Sequence, residues 1–171
     1  MIVRRERPAD EAAARRVQVE AFATADADEP VEAALLDQLR ADPGWIPELS
    51  LVAEIDGEVV GHVVCTRGRV GDGSAPAVGL GPIGVQPSHQ GDGVGSGLVH
   101  AVVAAAEARG EALVALLGDP AYYSRFGFAA AADQGVEAPD PTWGAYFQVR
   151  VLDPGAEVLG PFVYAEPFGR L

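Results

Sequence analysis

Two short stretches of this 171-residue chain carry residue types that could do chemistry. The first is Gln90-Gly91-Asp92-Gly93-Val94-Gly95-Ser96. Gly91, Gly93 and Gly95 let the backbone turn tightly ahead of a helical stretch, so that several N–H groups converge where free donors and the helix dipole favour a phosphate or pyrophosphate. The spacing does not complete the dinucleotide pattern G-x-G-x-x-G. Counting from Gly91 the third glycine position holds Ser96, and from Gly93 it holds Leu98. What stands there is Q-x-x-G-x-G, from Gln90, Gly93 and Gly95. The second stretch is Gly118-Asp119-Pro120-Ala121-Tyr122-Tyr123-Ser124-Arg125-Phe126-Gly127-Phe128. A tyrosine phenol, with a pKa near 10, keeps its proton at neutral pH and can serve as a general acid.

The elements that must position these stretches follow from periodicity. Ile2 to Arg5 reads as a strand, and Pro8 and Asp10 open a helix with Ala14, Val17, Ala21 and Phe22 at helical spacing. After a polar break over Asp26 to Pro30, a second helix carries Val31, Leu35 and Leu39 and stops before Asp42-Pro43-Gly44. Leu49 to Ile55 and Val59 to Arg67 read as antiparallel strands joined by a tight Asp56-Gly57 turn. A strand over about Ala77 to Val85 leads into the glycine stretch. Gly79, Gly81, Pro82 and Gly84 make it a poor central strand, suited to a bulge that leaves backbone groups free for a ligand. The next helix carries Val94, Leu98, Val102 and Ala105 or Ala106 and ends at Gly110, and Ala112 to Leu117 has the continuous apolar character of a sheet centre. Asp119 to Arg125 is a short helix, and Tyr146 to Leu152 and Phe162 to Ala165 are further strands. The expectation is one mixed α/β (α+β) domain over residues 1–171, with a twisted mixed sheet of about six to seven strands flanked by helices.

Composition removes several classes of function. The chain has 12 basic and 25 acidic residues, a net charge of −13, and every basic residue is arginine. The absence of lysine excludes a P-loop and Schiff-base catalysis. The acidity argues against nucleic acid as a partner and favours a cationic or amine acceptor. The lone Cys65 cannot form an internal disulfide or a Cys-rich zinc site, and no metal is expected. With no long apolar run and no leader-like start, no membrane partner and a cytoplasmic location are expected.

The segment Ile83-Gly84-Val85-Gln86-Pro87-Ser88-His89-Gln90-Gly91-Asp92-Gly93-Val94-Gly95 resembles the acyl-CoA-binding motif of the GNAT N-acetyltransferases, and Gly118 to Phe128 is similar to their aromatic-Tyr-x-x-x-Gly-Phe segment, in a bacterial G-D-P-x-Y-Y-x-x-F-G-F form. The resemblance implies an enzyme that moves an acetyl group from acetyl-CoA to a small-molecule or protein amine, with strands splayed at the acyl-CoA site. It implies that backbone groups around Ile83, Gly84 and Val85 hold the pantetheine amides. Gln90, Gly91, Gly93, Val94, Gly95 and Ser96 hold the pyrophosphate, Tyr122 and Phe126 form wall, and Tyr123 is the proton donor to the thiolate. Asp92 departs from the pattern, since the family often has a cation there. No carboxylate stands on the strand before the loop, so the base is sought among Glu29, Glu32, Glu54 and Asp119, or His62, His89 and His100. Trp45, Trp143, Tyr146 and Phe147 are candidates for an acceptor pocket. The alternative reading is a catalytically silent acyl-CoA-binding sensor or assembly module, and a homodimer is left open.

Overall fold

A computed structural model describes residues 1–24 and 29–170; of the expected polar break, residues 26–28 therefore lie outside the described residues. Strand β1 (Ile2–Arg5) is followed by a 3₁₀ turn, helix α1 (Glu11–Phe22) and helix α2 (Val31–Ala41). The hairpin β2 (Trp45–Ile55) and β3 (Glu58–Val70) turns at Asp56-Gly57, and both turn residues are left-handed, as its tight geometry requires. Then come β4 (Pro76–Val85), α3 (Val94–Ala108), β5 (Leu113–Leu117) and the one-turn α4 (Pro120–Tyr123). The last third holds β6 (Ala129–Ala130), β7 (Val136–Glu137), β8 (Phe147–Val151) and β9 (Gly160–Val163).

The sheet runs β1-β2-β3-β4-β5-β8-β6, with β9 added beside β3 and β7 beside β9. Among the described residues it has nine strands rather than about six to seven. The surplus is β6 and β7, two residues each, too short to leave an alternating pattern in the sequence. All neighbours are antiparallel except β4–β5 and β7–β9. On one face Val94, Leu98, Val99, Val102, Val103 and Ala106 of α3 pack on Leu51, Ala53, Val63, Cys65, Val78, Leu80 and Val114. On the other, α2 buries Leu35, Leu36 and Leu39 against Val64 and Ala165. Val31, expected on that apolar face, is 60% exposed, and Ala33 is buried instead. Cys65 is fully buried and burial pushes its thiol up, in keeping with a packing role.

His62 belongs to the scaffold. It is fully buried, with Gln18 Nε2 donating to its Nδ1 (2.9 Å), while its Nε2 faces Ser50 Oγ (3.0 Å) and Glu6 Oε2 (3.4 Å). Both ring nitrogens are engaged within the scaffold and neither faces the cleft lined by Tyr123, so His62 is not placed to act as a base there. Burial pushes the His62 pKa down, against the pull of Glu6. Burial raises the Glu6 carboxyl, but hydrogen bonds with His62 and Arg40 outweigh it and hold the group at about 2. Both folded pKa values lie below their unfolded ones, so the unfolded chain binds more protons in acid and stability falls as pH falls. The melting temperature is expected to drop below about pH 6.5, the ordinary histidine value, and again between about 4.5 and 2 as Glu6 protonates. A pH series of thermal melts checks this. A flat curve between pH 7 and 5 would contradict a buried neutral His62, and His62→Gln should flatten that limb.

Candidate active site

The site grows from a fork in the sheet. β4 and β5 pair only at Ala77–Leu113, Val78–Val114 and Gly79–Ala115. Beyond Gly79 the ladder stops, although β4 continues for six more residues. A bulge in β4 causes part of this, because Val63 opposes Ile83 but Cys65 opposes Leu80, leaving one extra residue on β4 around Gly81-Pro82. The orientation of the free backbone groups then follows from alternation. Gln86 N–H donates to Val60 C=O (2.9 Å), so residues 86 and 60 are a hydrogen-bonded pair. Val85–Gly61 and Ile83–Val63, at odd registers, are therefore non-hydrogen-bonded pairs, with their N–H and C=O groups turned away from β3 and into the fork. Gln90 Nε2 donates to the Val85 C=O (3.1 Å), which leaves the Ile83 and Val85 N–H groups open to a ligand with amides.

The glycine stretch lies at the outer end of β4. Gly93, at φ +83, is the N-cap of α3, a conformation that a side-chain-bearing residue adopts only at a cost. The first helical bond runs from Gly97 N–H to Gly93 C=O (2.9 Å), so the N–H groups of Val94, Gly95 and Ser96 have no partner within the helix. Gly95 serves close approach rather than turning, since a Cβ there would stand 2.9 Å from the Tyr122 hydroxyl oxygen. The Val94 side chain is buried in the core, so its contribution is its N–H alone. Asp92 is exposed and lies beside His89, with 3.9 Å between Oδ2 and Nδ1.

The tyrosine stretch closes over the fork from the α3 side. Asp119 Oδ1 accepts from Ala121 N–H (2.9 Å) and starts α4, and Gly127 at φ +80 ends the turn that follows. Tyr122 and Tyr123 meet edge to face at 4.9 Å, and Tyr123 also meets the Phe128 ring at 5.9 Å. Tyr122 therefore reaches the glycine stretch, while Tyr123 faces a cleft in the fork. Phe126 is buried behind them, its ring 5.0 Å from His100. Burial, and then the neighbouring Tyr122, push the Tyr123 hydroxyl up to about 12, so it holds its proton throughout the physiological range. Arg125, to which the motif gave no role, stacks its guanidinium 4.8 Å above the Tyr122 ring.

The cleft measures about 1140 Å³ and is bounded by the β4 bulge, the end of β5, α1, α2 and residues 138–143 and 161–169. Ile83 and Tyr123 line it, whereas residues 90–96 do not. Of the base candidates, Glu32 and Asp119 line it; Glu29 pairs with Arg15 and Glu54 with Arg4, away from the cleft. None of the three histidines lines it. Of the four aromatic candidates only Trp143 does. Trp45 sits under Arg40, Phe147 is fully buried and Tyr146 is 59% exposed. Tyr164 and Phe168 are lining residues that the sequence reading missed. They also revise the account of the β4 glycines. The Tyr164 ring occupies the space a Gly79 side chain would need, and Gln18 and Ala21 occupy that of Gly84, so packing rather than a ligand excludes side chains there. Among the described residues no group of three or more His, Cys, Asp or Glu side chains could hold a metal ion, and no helix is long and apolar enough to cross a membrane.

A family model described as an acetyltransferase (GNAT) domain matches residues 3–131. The Escherichia coli K12 protein named uncharacterized N-acetyltransferase YhbS is 37% identical over 142 residues, spanning 81% of this chain and 84% of its own. The crystal structure of Escherichia coli YhbS in complex with CoA superposes with a TM-score of 0.88 at 32% identity, covering 99% of this chain and 92% of that one. A GNAT family acetyltransferase from Brucella melitensis, in complex with acetyl-CoA, gives 0.79 at 35% identity over 98% and 97% of the two chains.

Proposed function

The chain belongs to the GNAT acetyltransferase family, and from that membership we propose that it transfers an acetyl group from acetyl-CoA to a primary amine by direct attack. The observation that carries this is the fork, where the inward-facing N–H groups of Ile83 and Val85 lie between the free amides of α3 and the cleft lined by Tyr123. The first-turn N–H groups of Val94, Gly95 and Ser96 bind the pyrophosphate, helped by the α3 dipole. Tyr122 walls the tether on the side opposite β4. The pantetheine amides add to the open edge of β4, and the Val85 N–H polarises the thioester carbonyl.

The acceptor enters the cleft as an ammonium ion and becomes the neutral amine there, its proton passing to Glu32 or Asp119 directly or through water. Its nitrogen bonds to the carbonyl carbon, and the carbon–sulfur bond breaks. The Tyr123 hydroxyl then gives its proton to the leaving thiolate, and the proton released by the attacking amine restores the phenol.

Titration calorimetry with CoA and acetyl-CoA, paired with thiol-release assays over amine acceptors, tests the reading. Binding with turnover of at least one amine is expected. Binding without turnover favours the silent module, and no CoA binding refutes both. Asp92→Ala is expected to leave affinity unchanged or improve it by a few-fold, because the carboxylate is exposed within the loop proposed to bind the pyrophosphate and would repel it. A large loss of affinity in that variant would contradict a loop that binds through its backbone.

A further inference from the structure

We infer that the acceptor is a cationic amine carried on an apolar body of aromatic size and bearing no anionic group. The inference rests on the acetyltransferase reading and concerns the half of the site that binds the acceptor. Two properties of the cleft lead to it. The walls are apolar and come from distant parts of the chain: Phe22 of α1, Leu35 of α2, and Trp143, Tyr164 and Phe168 from the last third. The charged residues on its lining are Glu32, Asp119, Asp140 and Glu166, all acidic, with no arginine or histidine among the described lining residues.

Each carboxylate keeps capacity for a cation to a different degree. Asp119 and Asp140 use Oδ1 to cap short helical turns, at 2.9 Å from Ala121 N and 2.8 Å from Thr142 N, so that Oδ2 remains. Glu166 is paired with Arg170 at 2.6 Å. Glu32 has no ion pair among the described residues, and it approaches the cleft from the α2 side.

The lining excludes the other common acceptor classes. A free amino acid would bring its own carboxylate beside Glu32, Asp119 and Asp140, with no guanidinium on the lining to take it, and such juxtaposed like charges are unfavourable. A peptide terminus would bury backbone amides against Phe22, Leu35 and Phe168, whose side chains cannot hydrogen-bond them. A polyamine would satisfy the carboxylates and leave the aromatic walls without apolar surface to cover. An aralkylamine or a bulky alkylamine satisfies both properties. In water it is protonated and drawn to the acidic mouth, and the same carboxylates then take the proton it must lose before attack.

The test compares kcat/KM for 2-phenylethylamine, phenylalanine, spermidine and a Phe-Gly-Gly peptide, with acetyl-CoA binding measured on the same preparation. The expected result is 2-phenylethylamine ahead of phenylalanine by about 100-fold or more, and ahead of spermidine and the peptide by about tenfold or more. Leu117→Arg, at a half-exposed lining position, adds a guanidinium to the cleft and should narrow the phenylalanine deficit about tenfold without changing acetyl-CoA affinity. Equal or better use of phenylalanine, spermidine or the peptide overturns the inference. So does acetyl-CoA binding with no turnover of any of the four. Absence of acetyl-CoA binding is a different failure, because it removes the acetyltransferase reading itself.

Discussion

Tyr123→Phe is expected to lower turnover by about 10²- to 10⁴-fold, the range for removing a positioned acid, while leaving acetyl-CoA affinity and melting temperature close to wild type. The reason is that the substitution deletes only the hydroxyl. The ring stays against Gly118, Tyr122 and Phe128, so the walls keep their shape. A hydroxyl held up at about 12 is fully protonated at neutral pH, so the acid form is present without any competing titration. The activity limb on the alkaline side should accordingly not reflect an ordinary tyrosine titrating near 10. Tyr122→Phe should cost much less, because its hydroxyl faces Gly95 rather than the cleft. Steady-state kinetics on both variants with an acceptor found by screening separate the two roles. A Tyr123→Phe enzyme with near wild-type turnover removes the acid assignment, provided that chemistry and not product release limits the rate.

Gly93→Val and Gly95→Val should each weaken CoA binding by about tenfold or more, for different reasons. At Gly93 the obstacle is conformation. No atom lies within 4 Å of where a Cβ would sit, but φ is +83, and a side-chain-bearing residue there carries about 1–2 kcal/mol of strain. The loop relieves that strain by moving, which redirects the first-turn amides. At Gly95 the obstacle is space, because the new Cβ stands 2.9 Å from the Tyr122 hydroxyl and 3.7 Å from Val85 Cγ2, filling the gap between α3 and α4. Both sites lie outside the packed core, so melting temperatures should change little by comparison. Full affinity in both variants would remove the loop from the binding site.

The local geometry of the glycine and tyrosine stretches was legible because its signals are local. Gly91 and Gly93 must be glycine for their backbone conformation, Asp119 and Gly127 punctuate the tyrosine turn, and Asp56-Gly57 closes a hairpin, each within a few residues of its effect. The β4 bulge could be read from Gly81-Pro82, and the fork follows from it. The acceptor half was not legible. Tyr164 lies on Gly79 across 85 residues of sequence, and no spacing rule links them. Leu35 and Trp143 meet the same cleft from opposite ends of the chain. Histidines were equally opaque, since only the fold places His62 in a buried cluster with Gln18, Ser50 and Glu6 and keeps all three histidines off the cleft. Glu32 and Asp119 were separated from Glu29 and Glu54 by which of them reach the cleft and which are held in ion pairs elsewhere.

The cleft is divided between the two ends of the chain. Residues 3–131, the part matched by the family model, contain the whole fork, the α3 amides and both tyrosines. Trp143, Tyr164 and Phe168 lie beyond them, on segments that lean on the fork without forming it. Trp143 and Phe168 lie outside β8 and β9, which hydrogen-bond to the fork and the tyrosine stretch, so substitutions at these two positions can re-cut one wall of the cleft while the fork keeps its geometry. On the proposed function, a change of amine then calls for changes at these positions and not at the fork.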